Sequence, residues 1–181
     1  MKRVEKICVY SASSTDIAPV YYKAAETLGK RLAENHITLI NGAGNTGLMG
    51  ATSDATLRNG GKVIGIIPKF MVENGWHHKA LTQLIVTESM HERKNKMAQM
   101  SDGVIAMPGG CGTLEELMEI ITWKQLGIYH NEVVILNIDG YYDPIIEMLK
   151  KAISQNFMDQ KHEQLWRVTD SVEEALNMIR Q

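Results

Sequence analysis

Apolar residues in this chain gather in short unbroken runs, separated by longer stretches in which they recur every three or four positions. The runs KICVY, ITLIN, KVIGII, QLIVT, GVIAM and EVVILNI read as strands. Each is continuous rather than alternating, as a strand covered on both faces of a parallel sheet requires. The amphipathic stretches 20–34, 47–59, 91–101, 114–126 and 144–155 predict helices, with 171–179 closing the chain. Punctuation agrees: Pro144 reads as a first-position proline behind an Asp143 cap, and Asp170 as the N-cap before SVEEAL. Strands alternating with helices predict an α/β fold, a Rossmann-like doubly wound parallel sheet in three α/β/α layers. The stretch 68–81, rich in His, Gly and Trp, fits neither pattern and reads as a mobile loop over a site.

Composition narrows the classes. At 181 residues, 44% of them hydrophobic, the chain supports one substantial core and is short for two, so residues 1–181 are expected to form a single domain. A net charge of −2 with no long basic run argues against nucleic acid as a partner. Two cysteines, Cys8 in an apolar run and Cys111 in a glycine loop, make no CxxC pair, which points to a reducing cytoplasm. The basic start MKRVEK precedes an apolar run of only about four residues, short of the 7 or more of a signal segment. No apolar segment approaches the roughly 18 residues that span a bilayer, so a soluble, unexported protein is expected, with no membrane partner.

Chemistry collects where predicted strands end. After KICVY comes SASS; after ITLI comes NGAGNTGLMG; after GVIAM comes PGGCGT, opening a helix. Glycines let backbone approach a ligand closely, and the free N–H groups of a helix N-terminus favour an anion, so a phosphate is the natural guest. GAGNTG matches GxGxxG but lacks the acidic residue about 20 positions on that reads a dinucleotide ribose; Pro68 and Lys69 stand there. PGGCGT lacks the GK[ST] of a nucleoside-triphosphate loop. A smaller phosphorylated ligand fits better. Glu115 and Glu116 follow this loop, where a helix dipole favours carboxylates whether or not they do chemistry. Arg93 and Lys94, in MHERKNKM, sit near the start of another helix, where cations are disfavoured. Either they form a solvated basic face, or they meet a ligand phosphate or the carboxylates of the neighbouring loop. His77 and His78 are adjacent and point apart, Asp139 stands alone, and no metal or other cofactor is expected. Cys111 reads as a small packing residue rather than a nucleophile.

These residues resemble the LONELY GUY family of nucleotide phosphoribohydrolases. The family pattern PGGxGTxxE appears as Pro108, Gly109, Gly110, Gly112, Thr113 and Glu116, and MHxRK as Met90, His91, Arg93 and Lys94. GLMG at 47–50, GGKVIGIIP at 60–68, ITWKQLGIY at 121–129 and GYYDP at 140–144 extend the similarity almost end to end. The resemblance implies cleavage of the N-glycosidic bond of a purine nucleoside 5′-monophosphate, a cytokinin riboside monophosphate or AMP, to free base and ribose 5-phosphate. It carries Arg93 and Glu116 over as catalytic residues, and Ser13, Gly44, Gly47, Met90, Lys94, Pro108, Gly109, Gly110, Gly112 and Thr113 as the nucleotide-binding set. It implies a homodimer, or a multiple of one, built on the helix bearing Met118, Ile120, Ile121 and Trp123. The chain departs from the family in four places, one being the stretch 68–81, which has no clean match. SASS replaces a FCGSS-like ending, so Ala12 stands for a glycine; NGAG replaces YGGG, placing Asn41 and Ala43; and Gln83 stands where LTEL is common. The rival class is a non-catalytic nucleotide or molybdenum-cofactor carrier, which has no need of the Arg93 and Glu116 pair. A lysine decarboxylase, a label also attached to such sequences, would need a Schiff-base lysine in a persuasive setting, and none stands out.

Overall fold

The structure is a computed structural model that describes residues 3–181; Met1 and Lys2, part of the basic start noted above, lie outside the described residues. Seven strands form one sheet: β1 (Lys6–Tyr10), β2 (Thr38–Asn41), β3 (Val63–Pro68), β4 (Gln83–Thr87), β5 (Gly103–Ala106), β6 (Glu132–Leu136) and β7 (Arg167–Thr169). Their order is β4-β3-β2-β1-β5-β6-β7 and every pairing is parallel. Cys8 in the central β1 pairs with Ile40 on one side and Val104 on the other. The helices are α1 (Pro19–Glu34), α2 (Gly47–Arg58), α3 (Lys69–Glu73), α4 (Met90–Gln99), α5 (Cys111–Gln125), α6 (Asp143–Ser154) and α7 (Val172–Arg180).

Alternation along each strand divides the core in two. Ile7, Val9, Leu39, Ile105 and Val134 pack with residues of α1, α2 and α7, while Cys8, Tyr10, Ile40, Val104 and Ile135 pack with α4, α5 and α6. Covering both faces is why the strands read as unbroken apolar runs. The edges behave differently. β4 is only partly buried, with Val86 at 48% exposure, because one of its sides has no neighbouring strand.

Two elements escaped the sequence pattern. β7 is three residues long, and its ladder to β6 forms only once the sheet exists. α3 spans five residues inside the stretch read as a loop, too few to display a helical period. Helix starts also differ. α7 is capped by Ser171, whose Oγ accepts from Glu174 N at 3.3 Å, not by Asp170. α6 has Tyr142 at its cap, so Asp143 and Pro144 are its first two residues. The apolar run EVVILNI leaves the sheet at Leu136, where Asn137 turns to accept from Tyr142 N at 2.7 Å. α5 begins at Cys111, three residues before the expected 114, which places Glu115 and Glu116 beyond the first turn, where the helix dipole fades.

Candidate active site

The crossover direction reverses between β1 and β5, since β2 to β4 extend to one side and β6 and β7 to the other. At such a switch point the loops after neighbouring strands splay apart and leave a crevice. A cavity of about 580 Å³ opens here. Across the sheet its wall runs from Gly110 and the start of α5, through Ser11–Ser14 after β1 and the 42–46 loop after β2, to Met71 and Trp76 in the segment after β3. Met90 and Arg93 reach it from α4.

Backbone bonds hold these loops to one another. Ala12 N donates to Pro108 O at 3.1 Å, Met49 N to Ala12 O at 3.1 Å, and Thr46 Oγ1 to Ser13 O at 2.7 Å. Tyr141 and Tyr142 donate their hydroxyls to Gly109 O (2.7 Å) and Met107 O (2.6 Å), clamping the glycine loop from below. Burial pushes the Tyr142 hydroxyl well above its ordinary pKa, so it stays a donor. Gly47 has φ +62°, and a Cβ there would lie 2.4 Å from Ser14 O, so glycine is what lets α2 start against the SASS loop.

The NGAG departure has its own internal logic. Asn41 is buried; its Oδ1 accepts from Ala43 N at 2.9 Å and its Nδ2 donates to Ser53 Oγ at 2.8 Å. That pins the turn in which Ala43 adopts φ +63°, a conformation costing a residue with a Cβ roughly 1–2 kcal/mol. Ala43 O and Gly44 then receive the following segment: His78 N donates to Ala43 O at 2.8 Å, and Gly44 bridges His77. His78 further binds Asp54 Oδ1 at 2.9 Å. The stretch 68–81 therefore lies over the cavity as expected, but is tied to it by its own hydrogen bonds.

Arg93 and Glu116 face one another at 3.7 Å, both side chains buried. Arg93 enters beside Gly42, where a Cβ would sit 1.8 Å from its Nη2, and its Nη1 rests against the sulfurs of Met71 and Met90. Its Nε is buried with no partner. Burial is the main influence on Glu116 and raises its pKa to about 7; Arg93 opposes this, while Glu115 adds to it. A carboxyl poised near neutrality beside a fixed cation is suited to proton transfer at physiological pH.

Of the sequence-derived residues, the cavity gathers Arg93, Glu116, Ser13, Gly44, Met90, Gly110, Gly112 and Thr113. Gly47, Pro108, Gly109 and Lys94 do not line it. The first three shape the loops as described. Lys94 turns the other way, and its buried ammonium pairs with Glu115 and, at 3.1 Å, with Glu119. Burial pulls its pKa down, but these two hydrogen-bonded carboxylates outweigh that and raise it. The cations at the start of α4 thus meet the carboxylates of α5. Lys94→Ala is expected to lower stability by about 1–3 kcal/mol, read as a loss of Tm, while KM for nucleotide stays within about twofold. A tenfold or larger rise in KM at unchanged Tm would return Lys94 to the binding set.

Sequence reasoning missed Gly42, Ser11, Asn45, Met71 and Trp76, and took Cys111 for a packing residue although it is exposed and lines the cavity. Gly42 was within reach, since it opens the same glycine cluster. Met71 and Trp76 lie in the stretch 68–81 already read as a loop over a site, but which of its residues reach the cavity is settled only by the fold, where Gly44 bridges His77. Among the described residues, no lysine lines the cavity, so the site does not fit a pyridoxal phosphate held as a Schiff base.

Sheet, switch-point cavity and buried Arg93 and Glu116 ion pair define a Rossmann-like α/β protein with a site sized for one small ligand. Known proteins place it further. Residues 49–179 match the family model described as "Possible lysine decarboxylase". The chain is 40% identical over 179 residues, 99% of its length and 81% of the relative's, to cytokinin riboside 5′-monophosphate phosphoribohydrolase LOG7 of Arabidopsis thaliana. It is 44% identical over 156 residues to the phosphoribohydrolase LOG of Oryza sativa subsp. japonica, covering 86% of this chain and 64% of that protein. The structure superimposes on the molybdenum cofactor binding protein of Rippkaea orientalis with a TM-score of 0.72 at 25% identity, covering 99% of this chain and 97% of that one. The chain belongs to the LOG family. Among the described residues, no helix is long and apolar enough to cross a membrane.

Proposed function

We propose that this protein hydrolyses the N-glycosidic bond of a purine nucleoside 5′-monophosphate, releasing free base and ribose 5-phosphate. The observation that carries the reading is the buried Arg93 and Glu116 pair, set between two unlike ends of one cavity. At one end the N-terminus of α5, with Thr113 and Ser13, offers donors for the 5′-phosphate. At the other, Met71, Met90 and Trp76 offer an apolar wall for the base. When the bond between C1′ and the base nitrogen breaks, its electron pair leaves with the base and positive charge builds on the ribose. The Glu116 carboxylate stabilises that charge and takes a proton from the water whose oxygen bonds to C1′. The proton that Glu116 takes is passed to the departing base nitrogen, which returns the carboxylate to its starting state, so one water is consumed and no charge is left over. Arg93 fixes the carboxylate and, as a cation, keeps Glu116 from drifting further above neutrality.

Incubating the purified protein with AMP and with N6-isopentenyl-AMP, then separating the products by chromatography, tests this directly. Base and ribose 5-phosphate are expected. If no purine monophosphate yields base, the reading is wrong, and the likeness to a cofactor-binding protein becomes the better guide. In the same assay Thr113→Ala is expected to raise KM about fivefold, one hydrogen bond's worth, with kcat little changed.

The protein is further proposed to act in the cytoplasm as a homodimer. Ile120 and Ile121 of α5 are consumed by this chain's own core, and Met118 and Trp123 pack against it. Leu126 and Ile128, just beyond α5, are each 65% exposed and supply the apolar surface a partner copy would cover. Light scattering at micromolar concentration is expected to give twice the chain mass; a monomer alone would refute the assembly.

A further inference from the structure

Ser11 is the residue immediately beyond β1, and strand order puts it between the ends of β2 and β5. On one side, Gly42 follows the end of β2 and lies beside the Arg93 guanidinium; on the other, β5 leads through the glycine loop into α5, which carries Glu116. Its chain neighbours are fixed, since Tyr10 O accepts from Met107 N at 2.9 Å and Ala12 N donates to Pro108 O at 3.1 Å. Ser11 is 4% exposed and lines the cavity, yet its Oγ has no hydrogen-bond partner. Arg93 Nε, from another residue of the same wall, is unpartnered too. Buried polar atoms are nearly always satisfied, so two orphans on one cavity wall mark where a ligand completes the network.

We propose that Ser11 hydrogen-bonds the 2′-hydroxyl of the bound nucleotide and so selects ribonucleotides over 2′-deoxyribonucleotides, an inference that rests on the nucleotide reading above. The two ends of the cavity already provide for an anion and an apolar base, which leaves the sugar in the middle. Arg93 Nε can only donate, ionised Glu116 can only accept, and a serine hydroxyl can do both. Sugar hydroxyls are the ligand groups that need such a mixed set. The 2′-hydroxyl adjoins C1′, the atom Glu116 must serve, so a hydroxyl on the wall shared with Glu116 is placed to meet it. The Oγ lies just beneath the cavity surface, and one rotation about χ1 between staggered positions turns it outward.

Titration calorimetry with AMP and 2′-deoxy-AMP, on the wild type and on Ser11→Ala, each carrying Glu116→Gln to suppress turnover, tests the inference at the level of binding. The wild type is expected to bind AMP at least about tenfold more tightly, and Ser11→Ala to bring the two within roughly threefold by weakening AMP alone. With Glu116 intact, the kcat/KM ratio of the two nucleotides is expected to fall in parallel. Tm of Ser11→Ala is expected to hold or rise, because an unsatisfied buried hydroxyl has been removed, whereas a serine with a structural bond would lower it. A wild type that binds both nucleotides equally overturns the proposal, as does a loss shared equally by both in Ser11→Ala, which would assign the hydroxyl to the water or the phosphate. A protein that prefers AMP through Ser11 but releases no base would sustain this inference while refuting the hydrolase reading.

Discussion

Glu116→Gln is expected to lower kcat by roughly 100-fold or more while nucleotide affinity changes less than about threefold. The amide keeps the shape and removes the charge, and charge matters only once the ribose becomes cationic. In the wild type, kcat/KM is expected to rise with pH to a plateau above about 7, where Glu116 ionises. Stability runs the other way. Because burial raises the folded pKa from an ordinary 4.5 to about 7, the protonated form is the one folding favours. Its contribution is present below 4.5 and is lost as pH rises through 7. Glu116→Gln lacks that loss, so its Tm advantage over the wild type should widen between pH 5 and pH 8, by at most about 3 kcal/mol. Groups shared by both proteins cancel in this difference. Full turnover by the variant, or a Tm gap independent of pH, would show that the carboxyl is neither catalytic nor buried as described.

Gly42→Ala is expected to be nearly as damaging, although the residue has no side chain to contribute. Its φ is outside the left-handed range, so alanine suits the backbone, but the new Cβ would sit 1.8 Å from Arg93 Nη2. The guanidinium is the far end of a flexible chain and can swing aside, so the protein should fold and melt within a few degrees of the wild type. What is lost is the 3.7 Å approach to Glu116. A displacement of an ångström or more at a positioning group costs on the order of 100-fold in rate. Removing the cation's influence also leaves burial unopposed, so the kcat/KM midpoint should move above 7. Unchanged activity would show that Arg93 tolerates another path into the site.

The six longer strands and six longer helices were legible because each carries its own signature: a run of apolar residues where both faces are covered, or a three-to-four period where one is. The same holds for the anion loop. Glycines ahead of a helix announce close backbone approach wherever the chain goes, so PGGCGT and NGAGNTG were visible without a fold. β7 and α3 were not, because three and five residues are too few to show a period, and β7 is held by β6, about 30 residues away in the chain.

Charge shows the division most clearly. Arg93, Lys94, Glu115 and Glu116 were all conspicuous as residues, but adjacent residues of a helix point about 100° apart, and which partner each one meets depends on how α4 and α5 pack. Packing sends Lys94 to Glu115 and Glu119 and leaves Arg93 with Glu116. It also removes the water around Glu116, and that desolvation, a property of assembled walls rather than of any local segment, moves its pKa toward neutrality. The sequence by itself determined the parallel α/β layering and the glycine loops at the strand ends, because periodicity and backbone freedom are local. Only the tertiary structure decided that Gly42 leaves space for a guanidinium, that the Ser11 hydroxyl stands unpartnered on the wall it shares with Arg93 and Glu116, and that Met71 and Trp76 close the far wall. Each of those is a relation between segments separated along the chain, and the distances involved exist only once the sheet has brought them together.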